Sequence, residues 1–529
     1  MAKFKVLVSD PLAEEGLEIF KKDPDVELVS KPKMKPEDLL KEISDADALA
    51  VRSETKVTAE VIAAAKKLKV IGRAGVGVDN VDIKAASKKG IIVMNTPDGN
   101  TISAAEHTLS LLMALSRNIP QANASLRAGQ WDRKKFTGVE LYSKVLGIIG
   151  LGRIGREVAK RAKSFGMRIL WHDPFLTADA AEKLGVEMAS LEKIYREADY
   201  ITVHAPKTAE TKHMIGAKEI GMMKEGIRII NCARGGIIDE SALLDALKSG
   251  KVAGAALDVF ETEPAAGNPL VALENVVATP HLGASTEEAQ TNVAIAIAHQ
   301  IIETLKGVDI RNAVNMPAVD AKTLERLRPY LTLTEKLGRL QSQIVTGHIQ
   351  EVEVDYCGEI SQEDVPALTL SLLKGLFDQY SPELVNYVNA PVIAQERGIR
   401  IVETRSASAL DFANLVKLRI VTDREQREVW GTVFGKQETR IVNIDGYDTD
   451  APPSDLMLVL TNNDKPGVVG NVGTLLGRHG INIAGLHMGR KEEGGKAITL
   501  LNIDNAVPEE ILKKLSKTEN IIDVKLVKL

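Results

Sequence analysis

The sequence predicts an α/β protein with two doubly wound parallel-sheet domains, followed by an α+β domain and a small domain of βαββαβ order. Three observations carry this. Short apolar runs alternate with amphipathic stretches as far as residue 305, the pattern of parallel sheets covered on both faces. A glycine-rich turn at 150–155 joins a strand pattern to a helix pattern. Past about residue 317 the glycine signatures stop, and residues 351–356 alternate charged and apolar side chains, which suits a half-exposed antiparallel strand.

In the first domain, residues 4–8, 26–29, 48–51, 70–71 and 91–94 read as buried strands. Between them, 58–68 sets Val61, Ile62, Ala65 and Leu68 at helical spacing. A second series starts after Pro97. Its six strands are 145–149, 168–171, 200–203, 227–231, 254–257 and 276–278, and its helices include 104–116 and 154–165. A long helix over 286–305 carries Val293, Ile297, Ile301 and Leu305 as one stripe and is expected to pack back on the first sheet. Its start reads as a capping box, with Ser285 accepting from the Glu288 amide and the Glu288 side chain reaching back. A strand pair is expected over 432–442, and 446–454 reads as a polar, Pro-containing link. The last domain runs strand 456–460, helix 468–479, strands 483–488 and 497–503, helix 509–515, strand 521–527, which is a ferredoxin-like order. The expected boundaries are 1–98 with 285–316 for the first domain, 99–284 for the second, 317–452 for the third and 453–529 for the fourth.

Composition narrows the function. The 529 residues suffice for about three or four domains. Lys+Arg is 67 against 72 Asp+Glu, a net charge of −5, so no nucleic-acid partner is expected. The two cysteines, Cys232 and Cys357, lie far apart with no Cys/His cluster, so neither a disulfide framework nor a metal site is expected. No run approaches 18 uncharged apolar residues and the N-terminus enters a strand directly, so the expected setting is cytoplasmic, without membrane contact.

The sharpest motif is Gly150-Leu-Gly152-Arg153-Ile154-Gly155. After a strand and before a helix, this is a Rossmann dinucleotide turn. Gly150 allows the turn, Gly152 a close pyrophosphate, and Gly155 tight helix–strand packing. The helix N-terminus adds free N–H groups and a positive dipole end. Asp173 closes the next strand, where a carboxylate accepts ribose hydroxyls and repels a 2′-phosphate, so the expected cofactor is NAD. Arg234, Glu263 and His281 follow three successive strands. In a doubly wound sheet, ligands bind beyond such strand ends. Arg grips a carboxylate with two donors, His takes a hydroxyl proton, and Glu beside His holds its tautomer. This set suits hydride transfer at a 2-hydroxy acid.

On Gly150, Gly152, Gly155, Arg234, Glu263 and His281, the chain resembles the D-isomer-specific 2-hydroxyacid dehydrogenase family over essentially its whole length, in the long form with two extra C-terminal domains. The resemblance implies catalytic roles for Arg234 (substrate binder), Glu263 (His partner) and His281 (acid/base). It implies NAD contacts at Gly150, Gly152, Arg153, Ile154, Gly155, Asp173, Cys232, Ala233, Arg234, Asp258, His281, Gly283 and Ala284. From the opposite side Arg52, Ser53, Arg73, Gly75 and Asn100 would face the substrate, Gly75 through its backbone N–H. Arg133 and Lys134 lie on a segment that reaches a neighbouring subunit's site in relatives, although a solvated loop explains them nearly as well. Several cations favour a phosphate, hence D-3-phosphoglycerate oxidised to 3-phosphohydroxypyruvate, the first step of L-serine biosynthesis, over lactate, glycerate or glyoxylate. An NADH-sensing interaction protein keeps a similar trio and stays open as the non-enzyme alternative. The last domain resembles an ACT domain, with Asn462, Asp464 and Asn482 as candidates for L-serine as effector. Relatives are commonly homotetramers. His107, on an apolar helix, is expected to be structural, and Arg397, Arg400 and Arg405 read as a solvated face.

Overall fold

The first sheet forms because its strands are hidden on both sides. β1 (Phe4–Val8), β2 (Val26–Ser30), β3 (Ala48–Val51), β4 (Val70–Arg73) and β5 (Ile92–Met94) lie parallel in the order β2-β1-β3-β4-β5. The structure, a computed structural model, describes residues 3–174, 184–317, 321–379, 385–435 and 437–529. The long helix Glu287–Leu305 does return to this sheet: Val293, Ile297, Ile301 and Leu305 share a core with Val6, Val8, Ala48, Ala50 and Val70. Gly72 lies beneath it, where a Cβ would stand 2.6 Å from Ile301 Cδ1. Truncating Ile297 or Ile301 to alanine there would cost about 2–5 kcal/mol.

The start of that helix differs from the expected box. Thr286 is the N-cap, and its side chain accepts the Ala289 amide at 3.2 Å. Ser285 is committed one residue earlier, its amide donating to Leu282 O at 2.8 Å, so the helix cannot begin until the next residue. The helix expected over 58–68 ends at Ala64, because Ala65 turns extended toward β4.

The second sheet has seven parallel strands in the order β12-β11-β10-β9-β6-β7-β8. They are β6 (Val145–Ile149), β7 (Arg168–His172), β8 (Glu187–Met188), β9 (Tyr200–Val203), β10 (Ile227–Asn231), β11 (Val252–Leu257) and β12 (Val276–Ala278). The seventh, β8, is a two-residue edge strand, too short to show a hydrophobic period. The order reverses at β6, which β7 and β9 flank, so the crevice opens beyond its carboxyl end. The helix Thr101–Arg117 carries the chain from the first domain into this one and buries Leu109, Leu112 and Leu115 against the sheet.

The third sheet is mixed, in the order β14-β13-β15-β16-β17-β18. Its strands are β13 (Ile349–Gly358), β14 (Arg400–Ser406), β15 (Asn414–Thr422), β16 (Gln426–Phe434), β17 (Glu438–Ile444) and β18 (Tyr447–Ala451). The expected half-exposed strand is the interior β13, antiparallel to β15 but parallel to β14. Its charged face is met by ion pairs, Glu351 with Arg400 and Glu353 with Arg419. The expected link at 446–454 is largely β18. Asp445 and Gly446 both take positive φ, 51° and 79°, which makes a tight hairpin between β17 and β18.

The fourth sheet is antiparallel, in the order β20-β21-β19-β22: β19 (Leu456–Asn463), β20 (Ile483–Arg490), β21 (Lys496–Ile503) and β22 (Ile521–Lys528). Leu458, Leu460 and Leu501 meet the helices Val468–Arg478 and Glu509–Leu515. The alternate residues Met457, Val459, Leu500 and Val527 belong instead to the core of the third domain, with Leu333, Leu337 and Leu340 of the helix Ala321–Ile344. Among the described residues, no helix is long and apolar enough to cross a membrane.

Candidate active site

The glycine turn divides its work by position. Gly150 sits at φ +93°, and a Cβ there would meet His204 O at 2.6 Å. A Cβ on Gly155 would meet Gly150 O at 2.2 Å. Gly152 faces open space, with nothing within 4 Å of its Cβ position. That is room for a pyrophosphate at the N-terminus of the helix Arg153–Ser164. Asp173 follows β7, and its Oδ2 accepts the Leu151 amide at 2.9 Å, so the same carboxylate also braces the glycine turn. These residues fit a dinucleotide. Ile154 is half-buried beside the turn, and Arg153 Nε pairs with Asp98 Oδ1 of the first domain at 2.6 Å.

Three strand ends deliver the expected trio. His281 Nδ1 lies 2.8 Å from Glu263 Oε2, and the Phe260 amide donates to Glu263 Oε1 at 3.1 Å. With Nδ1 bound to the carboxylate, Nε2 is the nitrogen left to exchange a proton. Arg234 Nη1 donates to Ala233 O at 2.7 Å and its Nε to Asp79 Oδ2 at 3.0 Å, across the cleft. The Ala233 amide donates to Asn231 Oδ1. Gly77 makes room for this arginine, since a Cβ there would stand 2.0 Å from Nη2.

Asp258, fully buried, accepts from the Leu282 and Gly283 amides at 2.7 and 2.8 Å, from Thr279 Oγ1 at 2.6 Å, and contacts His107 Nε2 at 3.1 Å. Burial raises its pKa, but the hydrogen bonds of His107, Thr279 and Leu282 outweigh this and hold the carboxyl below its ordinary value. Ala284 follows in the same turn. Burial pushes the Cys232 thiol up to about 12, so it stays protonated.

The first domain supplies the facing wall. Arg73 is driven down to about 10, first by burial and then by the nearby guanidiniums of Arg234 and Arg52. Its Nε is buried and has no hydrogen-bond partner among the described residues. Arg52 and Ser53 follow β3, where the Arg52 amide donates to Asp10 Oδ2 at 2.6 Å. Asn100 is the N-cap position of the crossover helix, and its buried Oδ1 also lacks a partner among the described residues. One expectation needs correction. The Gly75 N–H does not face a substrate, because it already donates to Thr96 Oγ1 at 2.7 Å. Gly75, at φ +143°, contributes space instead: a Cβ would lie 1.6 Å from Arg73 Nη1. Arg133 and Lys134 are exposed beside Trp131, itself 77% exposed, rather than packed into the cleft.

The three effector candidates each have a partner within the chain. Asn462 lines an apolar pocket with Leu460, Val472, Ile483 and Leu501, and its Oδ1 accepts from Thr499 Oγ1 at 2.9 Å. Asp464 is ion-paired with Arg490 at 2.7 Å, and Asn482 donates to Asp504 at 2.7 Å. Each short polar side chain has found a nearer partner.

Sequence reasoning gave Asp79 no role in the site and read His107 as structural without a partner for it. Both lie more than 150 positions from the residues they touch, as the Arg234 and Asp258 contacts show, and no short-range spacing marks them.

Taken together, a Rossmann crevice with an Arg, a Glu–His pair and a facing cationic wall defines an NAD-dependent oxidoreductase site for anionic hydroxy acids. Comparison with known proteins agrees. Residues 109–283 match the NAD binding domain of the D-isomer specific 2-hydroxyacid dehydrogenases, 326–445 the D-3-phosphoglycerate dehydrogenase intervening domain, and 457–520 the ACT domain. D-3-phosphoglycerate dehydrogenase of Methanocaldococcus jannaschii is 47% identical, covering 99% of this chain and 100% of its own. That of Bacillus subtilis is 44% identical with the same coverage. The NAD+-bound 3-phosphoglycerate dehydrogenase structure of Entamoeba histolytica superposes with a TM-score of 0.52 at 33% identity, covering 60% of this chain and all of that one. The chain belongs to the D-isomer specific 2-hydroxyacid dehydrogenase family, in the branch of the D-3-phosphoglycerate dehydrogenases. Its cofactor is NAD.

Proposed function

We propose that this chain oxidises D-3-phosphoglycerate to 3-phosphohydroxypyruvate, the first step of L-serine biosynthesis. The observation that supports it most is the cationic wall. Arg52, Arg73 and Arg234 lie close enough for Arg73 to be depressed to about 10 by burial and by the other two, with Asp79 and Asp10 the opposing charges. Lactate or glycerate brings one carboxylate to that cluster. A phosphate adds a further charge and suits guanidinium forks.

Arg234 binds the carboxylate and steadies negative charge on the C2 oxygen. His281 Nε2 takes the C2 hydroxyl proton, while the Glu263 carboxylate at Nδ1 stabilises the resulting imidazolium. Arg52, Ser53, Arg73 and Asn100 hold the phosphate end, with Gly75 leaving room. Bound NAD supplies the acceptor for the hydride leaving C2. Gly150, Gly152, Arg153, Ile154, Gly155 and Asp173 hold its phosphate and ribose portion, and Cys232, Ala233, Asp258, Gly283 and Ala284 its nicotinamide end. Arg133 and Lys134 would complete a neighbouring subunit's cleft in a cytoplasmic homotetramer. L-serine is the proposed effector, with Asn462 as its residue in the ACT pocket.

The test is NADH formation with D-3-phosphoglycerate, beside D-glycerate and D-lactate, under a phosphohydroxypyruvate trap and with or without L-serine. Turnover should require the phosphate. Equal turnover with D-glycerate would remove the substrate assignment, NAD binding without any turnover would favour a sensor, and insensitivity to serine would reopen the effector.

A further inference from the structure

The crossover helix Thr101–Arg117 carries two side chains that the reaction as written does not use. Ser103 Oγ is within donating distance of Gly283 O, at 3.0 Å, and of Asn100 O at the N-cap of its own helix, at 3.1 Å. His107 Nε2 lies 3.1 Å from both Asp258 Oδ1 and Thr279 Oγ1. The Thr279 hydroxyl proton is already committed to Asp258 Oδ1. Nε2 must therefore carry a proton and donate to both oxygens, since a bare nitrogen would face only lone pairs.

Asp258 in turn holds three consecutive amides. Its backbone carbonyl takes the His281 N–H at 2.9 Å, and its carboxylate takes those of Leu282 and Gly283. His281 itself sits at φ +56°, in the left-handed region that a residue with a Cβ avoids unless its surroundings impose it. Asp258 is what imposes it here. His107 and Ser103 are what fix Asp258 and its turn to the crossover helix.

We propose that His107 is a positioning residue: through Asp258 it fixes the left-handed turn that aims His281, and so ties the proton acceptor to the helix on which the chain passes between its two domains. This rests on the reading of His281 as acid/base. Without His107, Asp258 keeps its amide bonds and the Thr279 hydroxyl, but its carboxylate loses the donor that ties it to the crossover helix. The turn would drift while the substrate wall, built from the first domain, stays in place.

The test compares His107→Gln with His107→Met in the full chain. The Gln amide can donate from near the Nε2 position, and Met has the same length with no donor. The Met variant should show a kcat about 10- to 100-fold below the Gln variant, with the KM for D-3-phosphoglycerate in both within about twofold of the parent. Equal kcat values would overturn the proposal, since packing alone would then explain His107. Hydrogen exchange provides a readout independent of turnover: the Leu282 and Gly283 amides should exchange faster in Met than in Gln. Ser103→Ala, which removes only a hydroxyl, should loosen the same turn if the Met variant does not fold. Unchanged exchange over 281–284 in every folded variant would overturn the idea. Absence of turnover by the parent protein would defeat the reaction proposed above, while the exchange comparison still decides the role of His107.

Discussion

Arg234 and Asp79 meet across the interdomain cleft, with Nε donating to Oδ2 at 3.0 Å. Ala233 O takes Nη1, which leaves Nη2 as the guanidinium nitrogen not held by either contact. The acid from the first domain thus orients Arg234, the arginine proposed to bind the substrate carboxylate. Asp79 is 68% exposed, so the pair is worth about 0.5–1 kcal/mol once solvent screening is counted. Asp79→Ala should raise the KM for D-3-phosphoglycerate by roughly two- to fivefold with little change in Tm. Steady-state kinetics at saturating NAD checks this, and a lowered KM would mean that Asp79 competes with the substrate instead.

His281→Ala should lower kcat by about 10²–10⁴-fold, because the hydroxyl proton loses its acceptor. Glu263→Gln keeps a hydrogen-bonding group near Nδ1 but removes the charge that stabilises the imidazolium. Its kcat should fall by about tenfold or more, with NAD binding retained. Unchanged turnover in His281→Ala would exclude its assigned role.

Asp173→Ala removes the brace on the Leu151 amide together with the proposed ribose acceptor. A charge-assisted hydrogen bond is worth about 1.5–3 kcal/mol, so the KM for NAD should rise by about 10- to 100-fold. The ratio of activity with NADP to that with NAD should rise as well. An unchanged ratio would contradict the ribose assignment.

His204 gives a pH prediction whose sign is fixed by burial. Burial lowers its pKa from 6.5 to about 4, so the neutral form is the folded form. The unfolded chain binds the proton first, so this contribution to stability is full above about pH 6.5 and is lost as pH falls toward 4. Between pH 6.5 and 5 the loss is about 2 kcal/mol. Thermal unfolding at both pH values should show His204→Gln less acid-sensitive than the parent. Parallel pH profiles would show that His204 accepts its proton without strain.

Much of the nucleotide half was legible because its signals are local. Gly150, Gly152 and Gly155 sit within six residues, and strand ends can be read from apolar runs, so the positions of Arg234, Glu263 and His281 after strands are legible from the sequence alone. What escaped depends on distant partners or small offsets. The Gly75 amide was taken by Thr96, and Asp464 by Arg490, and neither follows from spacing. The helix cap moved from Ser285 to Thr286 because Ser285 closes the turn after Leu282, which Asp258 holds. The Asp445-Gly446 hairpin was a local signal that could have been read, since Asp-Gly between apolar runs favours the turn it makes.

Both faces of the ACT sheet contribute to a hydrophobic core. Its Leu458–Leu460 side meets its own helices, while Val459, Leu500 and Val527 complete the core behind Leu333 and Leu337, and the Gln343 side chain pairs with both backbone groups of Lys528. The C-terminal part is therefore no detachable cassette. Transplanted onto another enzyme, it would arrive with half of its own interior missing, and the recipient would have to supply a substitute for the helix Ala321–Ile344. Whatever sensing this sheet performs can be inherited only together with the domain beneath it, as one heritable module.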